Sequence, residues 1–155
     1  MSTSINFIGR CRHTLDAKNR LMVPLTYRKI VQSVEGDVKF YITPGLNKCL
    51  AMYPAGKWEN MVGKLEGLQA WEFADEGARK FRRIFFGSAE EVVPDKAGRI
   101  VIADHLREHA ELKKQLVLNG AGDHVEIWDA EQWALYSHMD DGEYERSARE
   151  AFRIA

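Results

Sequence analysis

HTLDAKNRLMVPLTYRK, His13 to Lys29, and EVVPDKAGRIVIADHLRE, Glu91 to Glu108, are two versions of one phrase. Each runs Asp-x-x-x-Arg, then an apolar run, then a stretch of helical character that reaches a second Arg. Asp16 and Asp95 stand 79 residues apart, as do Arg20 and Arg99. The same spacing lays Leu21-Met22-Val23 on Ile100-Val101-Ile102, and Arg28 on Arg107. Downstream the spacing becomes 75, so that FYITPGLNKCLAMYPAGKW (Phe40 to Trp58) falls on QLVLNGAGDHVEIWDAEQW (Gln115 to Trp133). Gly45 then meets Gly120, and Trp58 meets Trp133. A loop of different length between Ser33 and Lys39 absorbs the change. An internal pattern this long governs the fold before any local element does.

One repeat unit reads as strand, turn, strand, short helix, hairpin and a further helix. The runs 21–23 and 100–102 are short and apolar, ahead of Pro24 and Ala103, and predict strands. Thr26 to Val31 and Asp104 to Leu112 predict short helices, with Asp104 as N-cap. Residues 40–42 and 116–118 predict strands that turn at Pro44-Gly45 and at Asn119 to Gly122, then return through 49–53 and 125–128. A helix opens near Trp58 and again near Trp133. Between the units, 55–85 reads as a helical linker with acids (Glu72, Asp75, Glu76) ahead of bases (Arg79, Lys80, Arg82, Arg83). Trp71, Phe73, Ala78, Phe81, Phe85 and Phe86 supply its apolar contacts. The pairs Glu76 with Lys80 and Asp75 with Arg79 suit a solvated helix face; a phosphate-binding patch is the other reading of that block.

At 155 residues the chain suits one domain made of two similar halves. We expect repeat one over 7–54, the linker over 55–85, repeat two over 86–136 and a tail over 137–155. Hydrophobic content of 45% is ordinary for a globular chain, and no run nears the roughly 18 apolar residues of a membrane span. The start lacks a signal-peptide core, which points to a cytoplasmic protein. Cys11 and Cys49 show no metal or redox spacing, and His105 and His109, one turn apart, lack a third ligand. No nucleophile elbow, Walker loop or zinc-protease signature occurs, so no catalytic residue, metal, cofactor or small-molecule substrate is expected. The net charge of −1 hides an asymmetry. Residues 1–33 hold six bases against one acid, whereas 115–145 hold eight acids and no Lys or Arg. A basic face and an acidic face follow.

The role of the arginine turns on the loop before it. Asp16 and Asp95 can accept from backbone N–H groups two or three residues on and so tighten DAKNR and DKAGR. Gly98 suits positive φ, and Asn19 is the commonest substitute there. Arg20 and Arg99 then have two fates: to fold back on Asp as a staple, or to project with Lys18 and Lys96 toward phosphates or base edges.

DxxxR followed by an apolar strand, Pro and a short helix resembles the AbrB-like swapped-hairpin DNA-binding fold. HTLDAKNRLMVPLTYR, GLNKCLAMYP, ARKFRRIFFGSAEEV, DKAGRIVIADHLRE and VEIWDAEQW, in that order, resemble the MraZ family of bacterial transcriptional regulators. The likeness spans Phe7 to Tyr136. It implies an α+β fold, in which two tandem β-rich repeats form a pseudo-twofold swapped-hairpin barrel with peripheral helices. It also implies a homo-oligomeric ring that binds double-stranded DNA at short G-rich direct repeats. Those repeats lie in the promoter of the division and cell-wall gene cluster, the chain's own gene included, which makes the protein nucleoid-associated and autoregulatory. By this likeness Arg20 and Arg99 contact DNA with Lys18 and Lys96 beside them, and Asp16, Asn19, Asp95 and Gly98 shape the turns. The chain departs from the family pattern at Asn19 (usually Gly), Ala103 (usually Pro) and Ile8 (usually basic); Arg10 or Arg12 would replace that last charge. The rival reading is a ring-forming protein-interaction module whose turns are staples only.

Overall fold

In the computed structural model, residues 4–67 and 75–154 are described. Repeat one supplies β1 (Arg10–Thr14), β2 (Arg20–Met22), α1 (Leu25–Glu35), β3 (Phe40–Pro44), β4 (Leu50–Pro54), α2 (Ala55–Glu66) and α3 (Glu76–Ser88). Repeat two supplies β5 (Glu90–Val92), β6 (Arg99–Val101), α4 (Asp104–His109), β7 (Gln115–Gly120), β8 (Val125–Asp129), α5 (Ala130–Tyr136) and α6 (Glu143–Ile154). The element order of the first unit is thus copied in the second.

The strands of one repeat pair largely with those of the other. β3–β4 and β7–β8 are local hairpins, but β1 pairs with β7, β5 with β3, and β2 with β6, all antiparallel. The main sheet therefore runs β1-β7-β8-β4-β3-β5, an order that reads the same when the repeats are exchanged. A pseudo-twofold axis follows from the register. Leu21 faces Ile100 in the β2–β6 ribbon, and Ala51 faces Glu126 where β4 meets β8; both are matched positions of the two repeats. The arrangement is the α+β, two-repeat swapped architecture expected. The expected barrel does not close among the described residues: the six-stranded sheet and the β2–β6 ribbon share no ladder, and side chains fill the core between them.

That core draws equally on both halves. Leu21, Val23, Val31, Phe40, Ile42, Leu50 and Met52 meet Ile100, Ile102, Leu106, Leu116, Leu118, Val125 and Ile127, all buried. Each such side chain contributes about 1.5–3 kcal/mol relative to exposure. β4 is buried along its whole length, between β3 and β8 in the sheet and against α2.

Several local expectations shift. α1 runs on to Glu35, past Val31, because Tyr27 and Val31 sink one face into the core and Gly36, at φ 83°, stops it. α4 ends early, at His109, followed by Glu111 at φ 51°. Its N-cap is Ala103, not Asp104, whose carboxylate instead takes the Arg107 guanidinium from the first turn. The stretch expected as a linker, 55–85, holds α2 and most of α3, which by element order belong to the first unit; Trp71, Glu72 and Phe73 lie outside the described residues. Asp75 caps α3 by accepting from the Ala78 N–H at 2.9 Å, and Arg79 pairs with Glu76 rather than with Asp75. The span 137–155 contains α6, the counterpart of α3 in chain order.

Candidate nucleic-acid interface

The two Asp-x-x-x-Arg turns have the same hydrogen bonds. Asp16 Oδ1 accepts from the Lys18 and Arg20 backbone N–H groups, each at 2.9 Å. Asp95 Oδ1 accepts from Ala97 and Arg99 in the same way, also at 2.9 Å. The backbone closes behind them, with Asn19 N–H donating to Asp16 O and Gly98 N–H to Asp95 O. Asn19 and Gly98 sit at φ 61° and 87°, the left-handed region that a turn of this shape demands. These bonds hold both carboxyls below the usual aspartate range, chiefly through the backbone N–H of Arg20 and of Arg99 respectively.

Arg20 Nε donates to Asp16 Oδ2 at 2.8 Å, and Arg99 Nε to Asp95 Oδ2 at 3.3 Å. Both guanidiniums therefore bind side-on to their own turn. Neither Nη group of Arg20 or Arg99 meets an acceptor among the described residues. The staple and the outward contact are thus compatible: one edge of the fork fixes the side chain while the other stays open.

Strand pairing decides where these open edges go. In the β2–β6 ribbon Leu21 and Ile100 point inward, so Arg20, Met22, Arg99 and Val101 share the outer face. Arg20 lies opposite Val101 and Arg99 opposite Met22, which makes the arginines diagonal neighbours, about 7–8 Å apart at Cα. Met22 and Val101 form an exposed apolar strip between them. Lys18 and Lys96 are exposed on the turns at unmatched positions, since Lys18 corresponds to Ala97 and Lys96 to Ala17.

Each turn leans on the opposite repeat. Val23 N–H donates to Gly98 O at 2.8 Å, and Ile102 N–H to Asn19 O at 3.0 Å, a matched pair of cross-repeat bonds. Behind them stand Arg28 and Arg107, which the sequence reading left out of the site. Arg28 Nε donates to Val23 O, and Arg107 Nη1 to Ile102 O. Arg28 lies against Gly98, and Arg107 lines a depression with Asp16, Ala17 and Asn19. The recurrence of Arg at the 79-residue spacing was the available signal for both.

Other expected residues sit elsewhere. Arg12 is exposed on the same face of β1 as Arg10. Arg10 is engaged, with Nε donating to Asn119 Oδ1 at 3.2 Å and its guanidinium 4.6 Å from the Trp133 ring centre. His105 and His109 diverge, to Ser88 O and Gly45 O. Among the described residues no three His, Cys, Asp or Glu side chains gather as a metal site would need, and no helix is long and apolar enough to cross a membrane.

The model for an antitoxin-like MraZ protein matches this chain twice, over residues 7–84 and 85–153. The chain belongs to the MraZ family. It is similar to proteins named "Transcriptional regulator MraZ" from several bacteria. It is 41% identical to that of Heliobacterium modesticaldum over 92% of this chain and 94% of the relative. With that of Carboxydothermus hydrogenoformans the identity is 39% over the same shares, and with that of Moorella thermoacetica 40%. The second match of the MraZ model takes in α6, so this helix falls inside the repeated pattern.

Proposed function

We propose that this protein is a DNA-binding transcriptional regulator that reads short G-rich direct repeats in the promoter of the division and cell-wall gene cluster, its own gene included. The observation that carries this reading is the outer face of the β2–β6 ribbon, where Arg20 and Arg99 are held side-on with their Nη groups unengaged. A two-stranded ribbon fits the major groove, and an arginine fork matches guanine O6 and N7. Met22 and Val101 between them suit thymine methyl groups. Lys18, Lys96 and Arg12 meet phosphates, while Arg10, held over Trp133, contributes through its charge. The names of the relatives support the regulatory role. The protein acts by binding, without a catalytic step, as one domain in the cytoplasm at the nucleoid.

Few contacts per chain make a single site weak, and a ring of linked copies over repeated sites restores affinity through effective concentration. Support for such self-association comes from α6, whose Tyr144 and Phe152 are 69% and 81% exposed, two turns apart on one face. A neighbouring copy offers an apolar cavity of about 300 Å³ lined by Leu46, Met61, Leu65, Phe81 and Phe85. α6 opens with Glu143 and Glu145, and α3, which lends Phe81 and Phe85 to the cavity, is a basic helix with Lys80, Arg82 and Arg83. Phe152→Glu is expected to lower the mass measured by light scattering; an unchanged mass assigns the contact elsewhere.

A gel shift on the DNA upstream of the gene tests the function. Arg20→Ala and Arg99→Ala are expected to abolish or strongly weaken the shift while the oligomer persists, and wild-type affinity is expected to fall steeply with salt. The Nε–Asp contacts favour one rival, an interaction module with stapled turns. Wild-type binding by both variants would remove these arginines from the interface, whereas a wild-type protein that gives no shift would establish the rival.

A further inference from the structure

Arg28 and Arg107 occupy the same position in their repeats, yet their surroundings differ in one decisive way. Arg107 Nη1 is bonded to Ile102 O and its Nη2 to the Asp104 carboxylate. The position matching Asp104 in repeat one is Leu25, so Arg28 has no acid in the first turn of its own helix, and Glu35 at the far end accepts from the Gly56 N–H. Arg28 Nε is used on Val23 O at 2.9 Å, and no acceptor among the described residues engages its Nη groups. The guanidinium rests on the second turn: a Cβ built on Gly98 would stand 2.5 Å from its Cζ and 2.7 Å from its Nη2. Gly98 is buried there, and only a glycine leaves room for the fork.

Because the strands are exchanged, the basic first repeat thus delivers an uncompensated arginine to the turn of the second. Arg28, Arg99 and Lys96 converge on the DKAGR turn, where the only carboxylate of that turn, Asp95, is already occupied by N–H donors. We infer that Arg28 is a further DNA-binding residue, which takes a backbone phosphate at the Asp95–Arg99 turn, and that Arg107, neutralised by Asp104, has no equal role at the Asp16–Arg20 turn. This rests on the proposed DNA-binding function. It predicts two unequal readers on one ribbon, distinguished by a side chain from outside either turn.

The test is fluorescence anisotropy with a labelled duplex from upstream of the gene, across about 50–200 mM KCl. Arg28→Gln keeps a donor for Val23 O but removes the charge. It is expected to weaken binding about tenfold, as loss of one charged hydrogen bond does. The slope of log affinity against log salt is expected to shrink by about 0.9 per engaged subunit. Arg28→Lys is expected to restore most of that slope. The Asp104→Ala/Arg107→Ala double variant, which leaves the net charge unchanged, is expected to keep the wild-type slope. A wild-type slope for Arg28→Gln, or an equal slope loss in the double variant, overturns the inference. Thermal melting and light scattering on each variant separate a lost contact from a lost fold. If the wild-type protein itself leaves the anisotropy unchanged, the DNA reading falls; if the wild type binds and Arg28→Gln keeps its affinity and slope, only this inference does.

Discussion

Leu21 and Ile100 hold the same place in their repeats and face each other across the β2–β6 ribbon, both buried beneath the arginine face. They join the outer surface to a core that both repeats fill. Truncation of Leu21 to Ala removes buried methyl groups and leaves a cavity, at a cost of about 2–5 kcal/mol. Urea unfolding is expected to show that loss as one transition, coincident by fluorescence and circular dichroism. Two separated transitions would mean that the repeats unfold independently.

Exchange of strands makes each half dependent on the other. β1 finds its partner in β7, and β5 in β3. A fragment ending at Gly67 keeps the β3–β4 hairpin, but β1 and β2 lose their partners. Such a fragment is expected to lack a folded monomeric state by circular dichroism and sedimentation. A cooperatively folding monomer would contradict the interleaved topology.

Gly98→Ala introduces a Cβ at φ 87° and against the Arg28 guanidinium. The left-handed backbone alone costs about 1–2 kcal/mol. The displaced arginine adds to this, so the substitution is expected to cost less in an Arg28→Ala background than in the wild type. A double-mutant cycle on denaturation free energies reads the coupling, of order 0.5–3 kcal/mol for touching residues. Simple additivity would mean that Arg28 moves aside freely.

The turns have a pH signature. Donation from the Arg20 and Arg99 backbone N–H groups is the main cause that lowers half-exposed Asp16 and exposed Asp95. A depressed folded value means that the contribution is present above the unfolded value, about 3.9, and is lost as pH falls through the folded one. The turn amides are therefore expected to be undisturbed at pH 5 and to lose their hydrogen bonds only below about pH 4. Titration of the two carboxyl carbons by NMR checks this; midpoints at or above the ordinary aspartate value would refute it.

Cys49 is buried, and its Sγ donates to Leu46 O at 3.1 Å. Burial, with the Glu126 carboxylate beside it, pushes the thiol up to about 12. The thiolate is the reactive form, so alkylation at pH 8 is expected to spare Cys49 in the native protein and to modify it promptly in urea. Peptide mapping distinguishes it from Cys11.

Much of this fold is legible in the sequence because the repeat is. The recurrence of Asp16, Arg20 and Arg28 at Asp95, Arg99 and Arg107 locates both turns and both supporting helices. The pairing of strands is less accessible. β1 and β7 lie 101 or more residues apart, from Thr14 to Gln115 at the nearest, and local composition says nothing of a partner at that distance. For the same reason Arg28 looks like a surface residue of its own helix until the second turn is placed beneath it. Asp104 illustrates a different limit: Asp serves equally at an N-cap or in the first turn, and here Arg107 on the next turn draws it into an ion pair. Whether the arginine is a staple or a contact was an either-or question only while the guanidinium was treated as one group. Its Nε and its Nη atoms have separate surroundings.

The crossing of support between repeats also bears on heredity. Damage at residues 95–99 is felt by α1, and damage at 16–20 by α4. Compensating changes for a lesion in one turn should therefore be sought in the opposite half of the gene, so the duplicated halves cannot drift as separate lineages.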